Sequence, residues 1–158
     1  MPHTGDASMA TYQEHALDGA SPVDLVVALY DGIIRFLYDA VAACEHNDIP
    51  ARRTAVKRAL AIVIHLQARL RMDIGGRPAQ VLSEFYASVF ALVLQASTNN
   101  SPQRFEDAIR CVREIRDAWR LVSIDPTVDL AKAVPALRVS SSAAFAPSDP
   151  NPGSRWTA

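Results

Sequence analysis

Four runs of apolar residues recur along the chain at spacings of three and four, each bounded by residues that stop a helix. That period follows the 3.6-residue turn of an α-helix and not the alternation of a strand, so the chain is constrained to an all-α fold with an apolar stripe on each helix. The first run carries Val26, Leu29 or Tyr30, Ile33, Leu37 and Ala40 or Val41. The second carries Val56, Ala59, Val63, Leu66 and Leu70, and the third Ala79, Leu82, Tyr86, Val89, Val93 and Ala96. Phe105, Ala108, Val112, Ile115, Trp119 and Val122 make the fourth.

The punctuation between the runs is specific. Ser21-Pro22 and Ser101-Pro102 each place a hydroxyl that can accept from a free backbone N–H before a proline suited to the first helical position. Asp24 adds negative charge where the helix dipole is positive. His46 to Pro50, Asp73-Ile74-Gly75-Gly76 and Ser97-Thr98-Asn99-Asn100 are stops. The spacing predicts helices over about 22–45, 50–72, 77–96 and 102–122. Helices of about 20 residues span ~30 Å, and connections this short force antiparallel neighbours. The expected fold is an antiparallel four-helix bundle over residues 21–122, preceded by a flexible N-terminal arm, 1–20, and followed by a disordered Pro/Ser/Ala-rich tail, 123–158. The tail holds five of the ten prolines; residues 129–137 suit a helical turn or two before Pro135 interrupts, and Trp156 has no assigned role.

Charge and composition narrow the function. With 158 residues and a net charge of −1, the chain reads as one domain and not as a dedicated binder of nucleic acid or membrane surfaces. The charges are segregated instead: residues 51–72 hold six basic residues and no acid, whereas 22–48 hold five acids against Arg35. The first twenty residues carry no Lys or Arg and no long apolar run, which argues against a secretory signal. Uninterrupted apolar runs such as Leu25–Tyr30 and Val89–Leu94 stop at six residues, well short of the ~20 that cross a bilayer. Cys44 and Cys111 lie inside helical patterns and read as small buried thiols, in keeping with a reducing cytoplasm.

Chemistry-bearing constellations are scarce. A di-iron bundle needs Glu-x-x-His pairs, which do not occur, and there is no Gly-x-Ser-x-Gly elbow. Gly75-Gly76 follows no strand and precedes no Gly-Lys-Ser/Thr, so it reads as a helix terminator and not a phosphate loop. His3, His15 and His46 are scattered and suggest solvation only. No metal, cofactor or catalytic residue is therefore expected. Arg58 and His65, seven apart on one face, give the one enzymatic alternative: an Arg-then-His pair on a helix is a feature of the helical ribonucleases called HEPN domains, although Ala59 stands where those carry a polar residue.

What the bundle has in excess is apolar surface. Leu25, Val27, Ile34, Phe36 and Tyr38 lie off the first stripe, and Phe85, Phe90 and Leu92 lie beside the third. Either the arm and tail fold back over them, or a partner's amphipathic segment lies in a groove there. Both hold if the partner displaces the arm. Self-association through the same faces is the structural alternative to partner binding.

Several short patterns then occur in a telling order. Ala20-Ser21-Pro22 with Leu25, followed by Leu29-Tyr30-Asp31-Gly32, resembles the opening of the FliS family of flagellin export chaperones. Lys57-Arg58-Ala59 with Ile62 and Leu66 resembles that family's second long helix; Gly75-Gly76, Ala79, Leu82 and Phe85-Tyr86 resemble the start and aromatic pair of the next. Arg116-Asp117-Ala118-Trp119 resembles its closing helix, and Tyr12 sits where some members carry an N-terminal tyrosine. The resemblance covers about residues 12–122, with Ala87-Ser88 after the aromatic pair in place of the usual Asp-Tyr, Gln95-Ala96-Ser97 near the usual Ala-Asn, and an unusually long tail. It implies a cytosolic, non-enzymatic bundle, a monomer or weak homodimer, that binds the disordered C-terminal region of flagellin, blocks premature polymerisation and aids delivery to the flagellar type III export gate. Carried onto this sequence, Tyr12 and Leu17 would be a displaceable plug, while Leu25, Leu29, Tyr30, Ile33, Phe36, Leu82, Phe85 and Tyr86 would contribute to partner binding, with the division between core and groove left open.

Overall fold

The computed structural model describes residues 21–125 and 127–133. Four long helices, α1 (Pro22–Glu45), α2 (Ile49–Ala68), α3 (Gly76–Thr98) and α4 (Pro102–Ile124), are followed by one turn of helix, α5 (Leu130–Ala133). Each long helix packs on its neighbours in sequence, and α4 returns to pack on α1, closing a four-cornered antiparallel bundle. The α1–α4 and α1–α2 pairings are the extensive ones; α2–α3 and α3–α4 are thinner.

The caps form as the local chemistry dictates. At Ser21, the hydroxyl accepts from the Asp24 N–H at 3.1 Å while the Asp24 carboxylate accepts from the Ser21 N–H at 3.3 Å, a reciprocal box that satisfies two otherwise free donors. Asp48 caps α2 by accepting from Ala51, and Ser101 caps α4 by accepting from Arg104. Asn47 and Asn100 take left-handed backbone conformations, with φ of 53° and 47°, and so turn the chain between helices where a β-branched residue would be strained.

Helix α2 ends at Ala68 and not at Met72. Beyond it the chain tightens, with the Leu70 N–H donating to the Gln67 carbonyl and the Gly75 N–H to the Arg71 carbonyl at 2.7 Å. A Cβ at Gly75 would lie 2.5 Å from that same carbonyl oxygen, and Gly76 has φ +56°, so both glycines are required by the turn. Leu70 still packs against the core from outside the helix. At the other end, α4 extends to Ile124, and α5 rests on α3 and α4 with Ala131 buried and Leu130 partly so. The helical turn expected within residues 129–137 is α5, and α4 runs two residues past its expected end at 122. The arm 1–20 and the residues from 134 onward lie outside the described region.

The core is continuous and apolar. Tyr30, Ile33, Leu37, Val93, Phe105, Val112 and Ile115 are its largest fully buried side chains. By length and composition α3 is apolar enough to cross a membrane, with a mean hydropathy of 1.3 over its most apolar window. Nine of its residues are buried in the bundle core, which accounts for that composition.

Candidate functional site

The predicted partner-binding residues divide sharply. Tyr30, Ile33, Leu82, Phe85 and Tyr86 are core, each no more than 5% exposed. They sit on the inward phase of α1 and α3 and pack as core, and Tyr86 also reaches the floor of the groove described below. Their polar atoms are spent internally: the Tyr30 and Tyr86 hydroxyls share a hydrogen bond of 2.6 Å, and the Trp119 indole N–H donates to the Tyr30 oxygen at 3.2 Å. The Tyr86 ring also lies 5.9 Å from that of Phe85. Burial pushes the Tyr30 hydroxyl well above its usual pKa, and pushes Tyr86 up to about 12. This aromatic trio ties α1, α3 and α4 together.

Leu29 and Phe36 are half-buried against the core, and Leu25 is exposed on the first turns of α1. Phe36 is flanked by two cations, with the Arg35 and Arg58 guanidinium carbons 5.3 and 5.8 Å from its ring centroid. Arg58 is therefore engaged with an aromatic ring on α1, and the exposed His65 imidazole has no hydrogen-bond or ion-pair partner among the described residues. The pair has no organised ribonuclease arrangement around it. Among the described residues no cluster of His, Cys, Asp or Glu is placed to hold a metal ion. Cys44 and Cys111 are free, buried thiols whose pKa values are raised by burial.

Surplus apolar surface is instead open along the α2–α3 seam. Two adjoining depressions of about 490 and 370 Å³ share Ile64 and Phe90. The first is lined by Arg53, Val56, Lys57, Leu60, Ala61, Ile64, Phe90 and Ser97. The second continues over Val63, Ile64, Gln67, Tyr86, Ala87 and Phe90. Val56, Leu60, Val63 and Tyr86 form the buried floor, while Ile64 stands 55% exposed on the rim. Leu94, on the same face of α3 between Phe90 and Ser97, is 44% exposed.

The seam follows from a second stripe on each helix. On α2, residues 53, 57, 60, 64 and 67 step by four and three; on α3, residues 83, 87, 90, 94 and 97 do the same. Neither set is the core stripe. Small residues, Ala61, Ala87 and Ser97, hold the two walls low. Cross-helix hydrogen bonds pin both ends, from Gln67 to the Ser83 hydroxyl at 2.7 Å and from the Arg52 guanidinium to the Asn100 side-chain Oδ1. Of the residues named from the sequence, Tyr86 reaches this groove as part of its floor, and Phe90, singled out beside the third stripe, lines both depressions. Leu60, Ile64 and Leu94 were missed, although the run Ala59–Ile64 is apolar around most of the helix and signals two faces in use. Tyr12 and Leu17 lie outside the described residues.

A third depression, of about 420 Å³, has a different character: Tyr38, Glu106, Ile109, Arg110, Arg113, Glu114 and Asp117 line it on the α1–α4 side. Five of its seven lining residues are charged, whereas the α2–α3 depressions are lined mostly by apolar side chains.

The class of protein that this fold and site define is an antiparallel helical bundle with an open apolar seam between two of its helices. The family model described as flagellar protein FliS matches residues 5–126, and the chain belongs to that family. The flagellar secretion chaperone FliS of Vibrio cholerae is 34% identical over 116 residues, covering 71% of this chain and 85% of the relative. Those of Campylobacter jejuni and Salmonella typhimurium are 34% and 33% identical, over 74% and 70% of this chain and 91% and 82% of their own lengths. Residues from 127 onward, including α5, lie past the family match.

Proposed function

We propose that the chain is a cytoplasmic export chaperone whose α2–α3 seam receives the disordered C-terminal region of flagellin. It holds that region out of premature polymerisation and helps deliver it to the flagellar type III export gate. The observation that carries this reading is the pair of second stripes, with Leu60 and Ile64 of one and Phe90 of the other lining depressions left without filling between two helices. A disordered client loses chain entropy on ordering, and a long apolar floor is the kind of surface that offsets that loss. Leu25, Leu29 and Phe36, on α1, would serve as secondary contacts for a client that wraps beyond the seam. In this reading the arm, with Tyr12 and Leu17, is a displaceable plug. Its Asp6, Glu14 and Asp18, with no Lys or Arg, complement the basic residues of α2.

Isothermal titration with the flagellin C-terminal segment from the same organism tests it. Wild-type protein should bind about one to one with a negative heat-capacity change, and Ile64→Asp should abolish the heat while the bundle still melts cooperatively. Undiminished binding to Ile64→Asp would remove the seam from the account; absence of binding to the wild type would remove the function.

A further inference from the structure

The charge at the two ends of the seam is unequal. Arg53 and Lys57 line one end, both exposed and neither in an ion pair with any described acid. At the opposite end the stripe reaches the neutral Gln67–Ser83 pair. The next basic residue in that register, Arg71, is already bonded to Asp73 at 3.0 Å, and Glu84 stands beside Ser83 on α3. Between the two ends the walls are apolar. From Arg53 to Gln67 the seam is about 21 Å long at the helical rise, which matches about four turns of a docked helix.

A helix carries partial negative charge at its C-terminal end, and acidic side chains there are best placed over cations outside the helix. We propose that the seam takes a single amphipathic helix of the client in one polarity, with an acidic C-terminal end over Arg53 and Lys57 and its apolar face on Leu60, Ile64 and Phe90. The bound helix then runs antiparallel to α2 and parallel to α3. This rests on the client-binding reading above and adds the chemistry of the segment that is selected. Apolar contact supplies most of the affinity; the two cations choose the direction and reject segments that are basic at that end.

Two synthetic amphipathic peptides of about four turns test the polarity, identical in composition, one with its acidic pair at the C-terminal end and one at the N-terminal end. Fluorescence anisotropy with the full chain at low salt should give the C-terminally acidic peptide about fivefold to tenfold tighter binding. The gap should close in molar salt and in the double variant Arg53→Gln, Lys57→Gln, whose helicity should be unchanged since both side chains are exposed. Equal or reversed affinities, or a preference that survives the double substitution, would overturn the proposal and leave the chaperone reading standing. The proposal also falls if neither peptide binds while the flagellin segment does. Self-association abolished by Ile64→Asp, with no peptide bound, would assign the seam to a second copy of the chain. Loss of flagellin binding by the wild type is the separate result that takes the functional reading down as well.

Discussion

The two sides of the bundle are built to different rules. Where α1 meets α4 the interface is dense and cross-linked: Arg116, its side chain only 15% exposed, donates to Asp31 at 2.9 Å, and the Trp119 indole reaches across to Tyr30. Arg120 and Asp117 extend the ion-pair network at the surface. Where α2 meets α3 the contact is thin, held at its ends by two hydrogen bonds between exposed side chains, and its middle is an uncovered apolar floor. The contrast teaches that dense packing and ion pairs are concentrated on one pair of helices and open apolar surface on another, so that under the proposed function stability and binding fall to separate pairs. A bundle that closed all four seams equally well would have nothing to offer a client, and one that left them all open would not fold.

Mutations break or sharpen this contrast. The largest effect belongs to the closed side: Leu37→Ala, at a fully buried position on α1, should cost about 2–5 kcal/mol in chemical denaturation. Ile64→Ala, also a truncated aliphatic but on the open seam, should cost well under 1 kcal/mol while weakening client binding. Comparable losses for the two would mean that the seam is as structural as the core.

Alkaline pH should act next. The tyrosine hydroxyls have folded-state pKa values above the unfolded value of 10.0, with Tyr86 at about 12. Their contribution is complete below pH 10, where both states are protonated. It is lost as pH rises from 10 towards 12, because the unfolded chain ionises first. Tyr86 alone accounts for about 3 kcal/mol by the upper end of that window. A denaturation series from pH 8 to 11.5 checks this, and a flat profile would contradict buried, hydrogen-bonded hydroxyls.

Tyr30→Phe should cost about 1–3 kcal/mol, since it leaves the buried Tyr86 hydroxyl and the Trp119 indole N–H without their shared partner. Asp31→Asn is the smallest effect on the closed side, below ~1 kcal/mol, because the carboxylate is 45% exposed and screened by water and salt. Thermal melts in low and high salt separate these two, as only the second should be salt-sensitive.

Much of the fold was legible because its signals are local. The cap-then-proline pairs at Ser21 and Ser101 and the Gly75-Gly76 stop depend on a few neighbouring atoms, and the core stripes follow from periodicity. The site was less legible for a geometric reason. In a four-cornered bundle each helix has two neighbours, so a wide apolar arc is consumed by ordinary packing. Ile34, Phe85 and Leu92 looked surplus in the sequence yet are buried within that arc. Leu60 and Ile64 fell outside the single stripe assigned to α2, and only the placement of α3 opposite them reveals a groove. Tyr30 and Tyr86 matched family positions, and only the structure shows that their hydroxyls bond each other inside the core while Tyr86 also reaches the groove floor.

The most direct measurement is methyl NMR of the full chain, with isoleucine and leucine methyls labelled, titrated with the flagellin C-terminal segment. Intermolecular contacts to the Ile64, Leu60 and Leu94 methyls, with Ile109 and Ile115 unperturbed, are the predicted result. Contacts concentrated at Ile109 and the α1–α4 face, with Ile64 silent, would contradict the account.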